Sequence, residues 1–257
     1  MNIEQEKTKR IALLMGYSGW DRKKSSPIDA LKDIDNYEAF LKSNKGGAWE
    51  RNEIIKLTDE TLYKVREELY KGYFKYDFAF IVYCGHGCFD TNKKCRRFEI
   101  NKNEKDDVFE TDIKKLSKKT IFIYDSCSNK YTETSEKLIL SKERIEESKD
   151  PRKREDIRKL YEEWYTSCEE QYLPFYSSQI GQSAHDREDG KGGMYSYELL
   201  NVLKNATHSM DIVKAHQIAK DNLIKRLQYN KSDILQQPCD NIPENISKYL
   251  PGAIVIK

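Results

Sequence analysis

Two stretches of this chain, Asp77 to Tyr83 and Thr120 to Tyr124, each open on one polar residue and then run on without interruption through aliphatic and aromatic ones. A strand reads this way when both of its faces are buried, which is the condition of a central parallel strand covered by helices on each side. Shorter runs at Ile11 to Met15, Glu53 to Leu57, Tyr172 to Ser178 and Ala253 to Ile256 add four more strands. Between them lie amphipathic segments. Ser26 with Pro27 forms a capping pair before a stripe of Leu31, Ile34, Phe40 and Leu41 that stops at Gly46 and Gly47. Leu62, Val65 and Leu69 follow a cap at Thr58 or Asp59. A short helix is expected around Asp112 to Lys118, and longer ones near 195–204 and 211–228. Strands alternating with helices predict an α/β chain: a three-layer α-β-α sandwich around a six-stranded, mostly parallel sheet. The C-terminal strand is expected to tuck into that sheet.

Composition excludes several classes. Lys+Arg 45 against Asp+Glu 43 leaves a net charge of +2, so no overall field points to nucleic acid or an anionic membrane. No apolar run approaches the ~18 residues of a membrane span. The first ten residues are charged and carry no apolar stretch, so a secretory signal is not expected. Six cysteines (Cys84, Cys88, Cys95, Cys127, Cys168, Cys239) without such a signal read as reduced thiols of a cytoplasmic protein.

Charge is concentrated in one place. From Lys142 to Glu163, 16 of 22 residues are charged, with only Ile145, Ile157 and Leu160 as aliphatics. An exposed helix or a linker is expected there, not a core element. It divides the chain into residues 1–140, a charged segment 141–168, and residues 169–257, all within one domain.

The chemistry-bearing residues sit where two strong strands end. In open α/β sheets ligands bind beyond the carboxyl ends of the strands. One strand runs into Cys84, Gly85, His86 and Gly87, the other into Asp125, Ser126 and Cys127. If the two strands are neighbours, His86 and Cys127 meet at one sheet edge although 41 residues separate them in sequence. A cysteine nucleophile acts as thiolate, and an adjacent imidazole supplies its proton acceptor. The N–H groups of Gly87 and Cys127 could face a carbonyl oxygen as an oxyanion hole. The remaining cysteines read as small buried hydrophobes. Cys84, His86, Cys88 and Cys95 lack the paired spacing of a zinc site, so no metal is expected there. His185, His208 and His216 read as core or surface residues.

The Gly-His-Gly end and the Asp-Ser-Cys end together resemble the caspase-type peptidases, and metacaspases and paracaspases more than animal caspases. The first strand with the helix carrying Leu31, Asn36 and Ala39 is similar to the opening of bacterial and plant members. Gly181 to Ala184 and Gly193 to Tyr197 resemble the small-subunit half. The chain departs from the family's forms after the nucleophile, where Ser128, Asn129 and Lys130 stand, and in the first helix, where Asp33 and Tyr37 replace a glycine and an aspartate.

The resemblance implies a caspase-like cysteine endopeptidase. Asp125 stands where metacaspases and paracaspases, which cut after Arg or Lys, carry aspartate. A carboxylate at the base of a pocket attracts a cation and repels an acid, so protein or peptide substrates with Arg or Lys at P1 are expected. A buried aspartate that merely accepts backbone N–H bonds is the competing reading of Asp125. Asp33 or Asp35 could supply a second carboxylate, and Ser177 or Ser178 could border the pocket. Lys142, Arg144, Lys149, Arg152, Lys153, Arg154, Arg158 and Lys159 would all suit such a pocket, so cleavage in the charged segment could mature the enzyme. Some relatives use calcium; Asp106 and Asp107 form an acidic pair, but the six to eight oxygens of a calcium site are not assembled here. No phosphate-binding loop appears, so no cofactor is expected. A catalytically silent scaffold, or another cysteine hydrolase on the same fold, is the alternative. The sequence leaves monomer and dimer equally open.

Overall fold

The structure is a computed structural model and describes residues 9–18, 28–71, 75–100, 107–114, 116–128, 151–187, 192–230 and 232–256. The capping pair Ser26–Pro27, Asp106, Asn129, Lys130, Lys142, Arg144 and Lys149 lie outside them. In chain order the strands are β1 (Arg10–Gly16), β2 (Ile54–Thr58), β3 (Phe78–Gly85), β4 (Gly87–Asp90), β5 (Cys95–Phe98), β6 (Val108–Phe109), β7 (Lys119–Ser126), β8 (Gln171–Tyr176), β9 (Met210–Asp211), β10 (Cys239–Asp240) and β11 (Pro251–Ala253). The helices are α1 (Ile28–Lys42), α2 (Val65–Lys71), α3 (Glu110–Ile113), α4 (Pro151–Ser167), α5 (Met194–Lys204) and α6 (Ile212–Tyr229). The expected six-stranded sheet is present in the order β10-β8-β7-β3-β1-β2, parallel throughout except for β10. No helix among the described residues is long and apolar enough to cross a membrane.

Period-two alternation sorts the sheet's side chains onto two faces. Ala12, Leu14, Phe80, Val82, Ile121 and Ile123 point to one face, where α1, α4, α5 and α6 bury their apolar stripes. Ile11, Leu13, Ile81, Tyr83, Phe122 and Tyr124 point to the other, packed by α2 and α3. The layers thus form the expected sandwich, with its heavier helical layer on the first face.

Two expectations change. The C-terminal run does not enter the central sheet: β11 pairs with β9 in a separate two-stranded sheet, and the sixth position is taken by β10, antiparallel to β8. Leu250, Ala253 and Ile254 are buried among the helices, so an apolar run here marks burial in a helical layer instead. The charged segment also differs. From Pro151 it is α4, and Ile157, Tyr161 and Tyr165, at helical spacing, are buried in the core. The stripe is aromatic, which counting aliphatic residues overlooks.

The basic residues of α4 hold it down. Arg154 donates to the carbonyls of Lys42 and Trp49, both at 2.8 Å. Arg158 donates to Ala48 O at 2.8 Å and to both carboxylate oxygens of Glu53 at 2.8 and 2.7 Å. Glu53 also accepts from Arg10, whose buried guanidinium lies 4.3 Å over the Trp49 ring. Burial alone would raise the Glu53 pKa, but the bonds from Arg158 and Arg10 outweigh it and hold the carboxyl at about 2, against an ordinary 4.5. A carboxyl depressed on folding stabilises the fold fully above its unfolded pKa and loses that contribution as pH falls toward the folded value. The urea midpoint should therefore drop between about pH 5 and pH 3 in the wild type, and drop less in Glu53→Gln. Equal slopes in the two proteins would show that Glu53 is not the linkage group.

Candidate active site

The ladder between β3 and β7 runs in register from Ala79↔Thr120 to Gly85↔Ser126. The next residue on each chain is His86 on one side and Cys127 on the other. Parallel strands lie about 4.8 Å apart, so the two leave the sheet edge side by side, as the strand endings predict. Gly85 takes φ +148, and a Cβ there would stand 2.5 Å from the carbonyl of Tyr17, so only glycine makes this exit. The Tyr17 ring lies edge-on to the His86 imidazole at 6.3 Å.

His86 opens a hairpin that the sequence presents only as a charged excursion. β4 and β5 pair antiparallel, with β6 beside β5. The signal for it was Asp90, whose carboxylate accepts the N–H groups of Asn92 and Lys93 and closes the turn. The N–H of Glu99 donates to the carbonyl of His86 at 3.1 Å. That bond flanks the Gly87↔Phe98 pair. Such a pair does not exchange its own bonds, so the Gly87 N–H is directed away from the hairpin ladder. Two buried tyrosines clamp the hairpin to the sheet. The Tyr83 hydroxyl is shared between the carbonyls of His86 and Glu99, and the Tyr124 hydroxyl donates to Arg97 O at 2.9 Å.

Cys127 is half-buried, and its thiol donates to the carbonyl of Ala184 at 3.7 Å. Burial pushes the thiol up, and the carboxylates of Asp125 and Asp186 add to the rise. Both neighbours of Cys127 are tied. Ser177 Oγ lies 3.2 Å from both the amide and the carbonyl of Ser126, and the Ser128 N–H donates to Gln182 O at 2.9 Å. Ser178 Oγ lies within reach of Ser126 O and Ser128 Oγ. A cleft of about 470 Å³ opens beside Ser183 and is lined by Gln182, His185, Asp233 and Leu235.

Alternation places Asp125 on the face of α1 and α5, and there it meets Asp33. Asp125 Oδ2 accepts the Ser196 amide at 3.0 Å and the Ser196 hydroxyl at 2.5 Å, while Asp33 Oδ2 accepts the Gly193 amide at 2.7 Å. A Cβ on Gly193 would lie 2.7 Å from Asp125 Oδ2 and 3.2 Å from Asp33 Oδ2. Both carboxylates therefore converge on the first turn of α5, where an amide-rich helix start favours negative charge. Burial raises the Asp125 pKa against the opposing bonds from Ser196 and Ser177. Asp125 accepting a backbone N–H is what the competing reading describes; its companion carboxylate is what that reading does not supply.

The other candidates separate. Asp35 is exposed and ion-paired with Lys56, away from Asp125. Asp107 is buried and paired with Arg97 at 3.2 Å. Cys84 lies in the core facing Ser196, while Cys88 and Cys95 belong to the hairpin, and no group of three metal-ligating side chains forms among the described residues. His216 is buried between Tyr195 and Asp240, His208 lies beside Thr207, and His185 lines the cleft. Asp186 and His185 were not read as site residues; nothing in their spacing marks them.

A profile of the caspase domain matches residues 9–247. The chain belongs to the caspase-domain family. This membership gives it the character of a cysteine peptidase. Among solved structures, the fold is similar to the crystal structure of caspase-1 from Spodoptera frugiperda, with a TM-score of 0.58, 13% identity, and coverage of 91% of this chain and 88% of that one. At that identity the likeness speaks for the fold alone. No curated protein matches the chain in direct sequence comparison.

The Tyr83 clamp is testable without reference to any substrate. Tyr83→Phe deletes a buried hydroxyl shared by two carbonyls, a loss of about 1 kcal/mol, and should speed amide exchange at Glu99 about fivefold while β3 amides stay protected. Unchanged exchange at Glu99 would show that the hydroxyl does not hold the hairpin.

Proposed function

We propose that this caspase-family chain is a cysteine endopeptidase that cuts peptide bonds after Arg or Lys, with Cys127 as nucleophile and His86 as its base and acid. The observation that carries the specificity is the convergence of Asp125 and Asp33 at Gly193, on the strand end that leads directly into Cys127. Two carboxylates at one place attract a guanidinium or ammonium group and repel an acidic side chain.

The chemistry follows from the groups in place. The raised Cys127 pKa means that the resting site holds a thiol, so a base must take its proton as the sulfur attacks. His86 takes that proton, and the sulfur bonds to the scissile carbonyl carbon. The carbonyl oxygen becomes an oxyanion facing the N–H groups of Gly87 and Cys127. Collapse breaks the C–N bond, and His86 returns the proton to the leaving amine. Water, deprotonated by His86, then releases the acyl group and restores the thiol.

Cleavage of its own chain is confined by the fold. Arg152 to Lys159 lie on α4, where helical bonding withholds the backbone and Arg154 and Arg158 are engaged in packing. Helical structure thus removes Arg152, Lys153, Arg154, Arg158 and Lys159 as processing sites, and of the basic residues in this segment Lys142, Arg144 and Lys149 stay as candidates. A Cys127→Ala form that is still clipped there, in the absence of wild-type enzyme, would exclude self-cleavage.

Fluorogenic peptides with P1 Arg, Lys, Asp or Leu test the reading. Turnover after Arg and Lys is expected, abolished in Cys127→Ala and reduced about 10- to 100-fold in Asp125→Asn, the scale of a charge-assisted contact. Turnover only after Asp or Leu would overturn the pocket, and inertness toward all four would favour a silent scaffold. The pH dependence has a definite sign. Because burial raises the Asp125 pKa, its charge is lost on acidification sooner than that of a free aspartate, so KM for P1 Arg should climb as pH falls while KM for a neutral P1 does not.

A further inference from the structure

Arg96, on β5, is 5% exposed, and every group it touches among the described residues is neutral. Its Nε donates to Ser128 Oγ at 3.3 Å, and its Nη2 donates to Ser178 O at 3.2 Å and to the Cys239 sulfur at 3.7 Å. The guanidinium lies 3.3 Å over the ring of Tyr176. A buried guanidinium without a carboxylate carries a desolvation cost that neutral acceptors and an aromatic face return only in part. A hydrophobic side chain of similar length would fill the same space without that cost. Stability therefore does not explain Arg96.

Its contacts do. Ser128 follows Cys127 directly, Ser178 ends the segment leaving β8, and Cys239 belongs to the edge strand β10. Arg96 thus ties the hairpin carrying His86 to the chain just beyond Cys127, while Tyr124 holds the same hairpin from within β7 through Arg97 O. Around Ser128 the other ties among the described residues are the Ser128 amide to Gln182 O and the Gly181 amide to Ser128 O, both at 2.9 Å, and the Ser128 hydroxyl to Ser178, 3.4 Å from its carbonyl and 3.3 Å from its Oγ. The planar fork of a guanidinium aims its Nε and Nη2 donors at Ser128 and Ser178 while stacking on Tyr176, a geometry that a lysine's rotatable ammonium does not reproduce.

We infer that Arg96 is a positioning residue that fixes the Cys127 segment against the His86 hairpin through Ser128 and Ser178. This rests on the peptidase reading, so the test has one arm that needs no catalysis. In Arg96→Met, amide exchange at Ser128 and Gly181 should rise about tenfold while β3 amides and the melting temperature hold or improve. With an arginyl acyloxymethyl ketone, which alkylates a positioned nucleophile, the limiting inactivation rate should fall about tenfold with the half-saturating concentration unchanged. Arg96→Lys should not rescue either readout. Ser128→Ala, which removes the Nε acceptor together with the hydroxyl's own contacts to Ser178, should move both in the same direction by a smaller factor, and serves if Arg96→Met fails to fold. Unchanged exchange at Ser128 in a folded variant would overturn the assignment, as would loss of protection in β3 together with Ser128, which marks a purely structural residue. If the ketone leaves wild-type Cys127 unlabelled, the peptidase reading fails and the exchange arm alone decides the role of Arg96.

Discussion

The parallel ladder between β3 and β7 is the constraint on which the rest depends. Seven rungs, from Ala79↔Thr120 to Gly85↔Ser126, bring together residues that the chain holds far apart, and they do so with a register. A slip of one residue in β7 would turn each of its side chains to the opposite face. Asp125 would then face the hairpin, and Tyr124 would face α5. Ile121 and Ile123 against one helical layer, with Phe122 and Tyr124 against the other, make that slip costly, because the two sets differ in shape and each fills its own cluster. The apolar pattern that makes the strand also aims the carboxylate.

The start of α5 is the second fixed point. Helix starts leave amides unpaired, and here Asp33 from α1 and Asp125 from β7 accept two of them. The same two carboxylates are the proposed anchor for a cationic side chain. Structure and recognition are therefore not competing uses of Asp125. One oxygen holds Ser196, a hydroxyl that also lies 3.3 Å from the Tyr37 hydroxyl, so the carboxylate is oriented before any substrate arrives. Gly192, with φ +98, and Gly193 let the backbone lie directly on both acids, where any side chain would collide.

What the sequence made legible follows from which patterns are local. β3 and β7 announce themselves because burial on both faces leaves no polar residue inside the run. Gly85, His86 and Cys127 are legible because their strands end abruptly in residues with chemistry. The β4–β5 hairpin was hidden because its strands are four residues each, with Arg96 and Arg97 inside, and their burial depends on partners elsewhere in the chain. β10, two residues long, carries no pattern at all and exists only because β8 offers it an edge. α4 was misjudged because its charges look solvated, whereas Arg154 and Arg158 spend theirs on carbonyls and on Glu53. The choice between Asp33 and Asp35 turns on helical phase: of two acids two residues apart on α1, one faces the sheet and the other faces water.

The electrostatics around Cys127 run against a permanently ionised nucleophile. Burial disfavours the thiolate, and Asp125 and Asp186 disfavour it further. On the proposed reading, the substrate changes that balance. A guanidinium or ammonium seated against Asp125 and Asp33 offsets the field of Asp125 at the sulfur, so the charge that secures binding also lowers the cost of forming the thiolate beside it. A neutral or acidic P1 side chain supplies no such offset. Specificity in such a site would show in the rate of bond breaking as well as in affinity, because the interaction strengthens as negative charge develops on the sulfur.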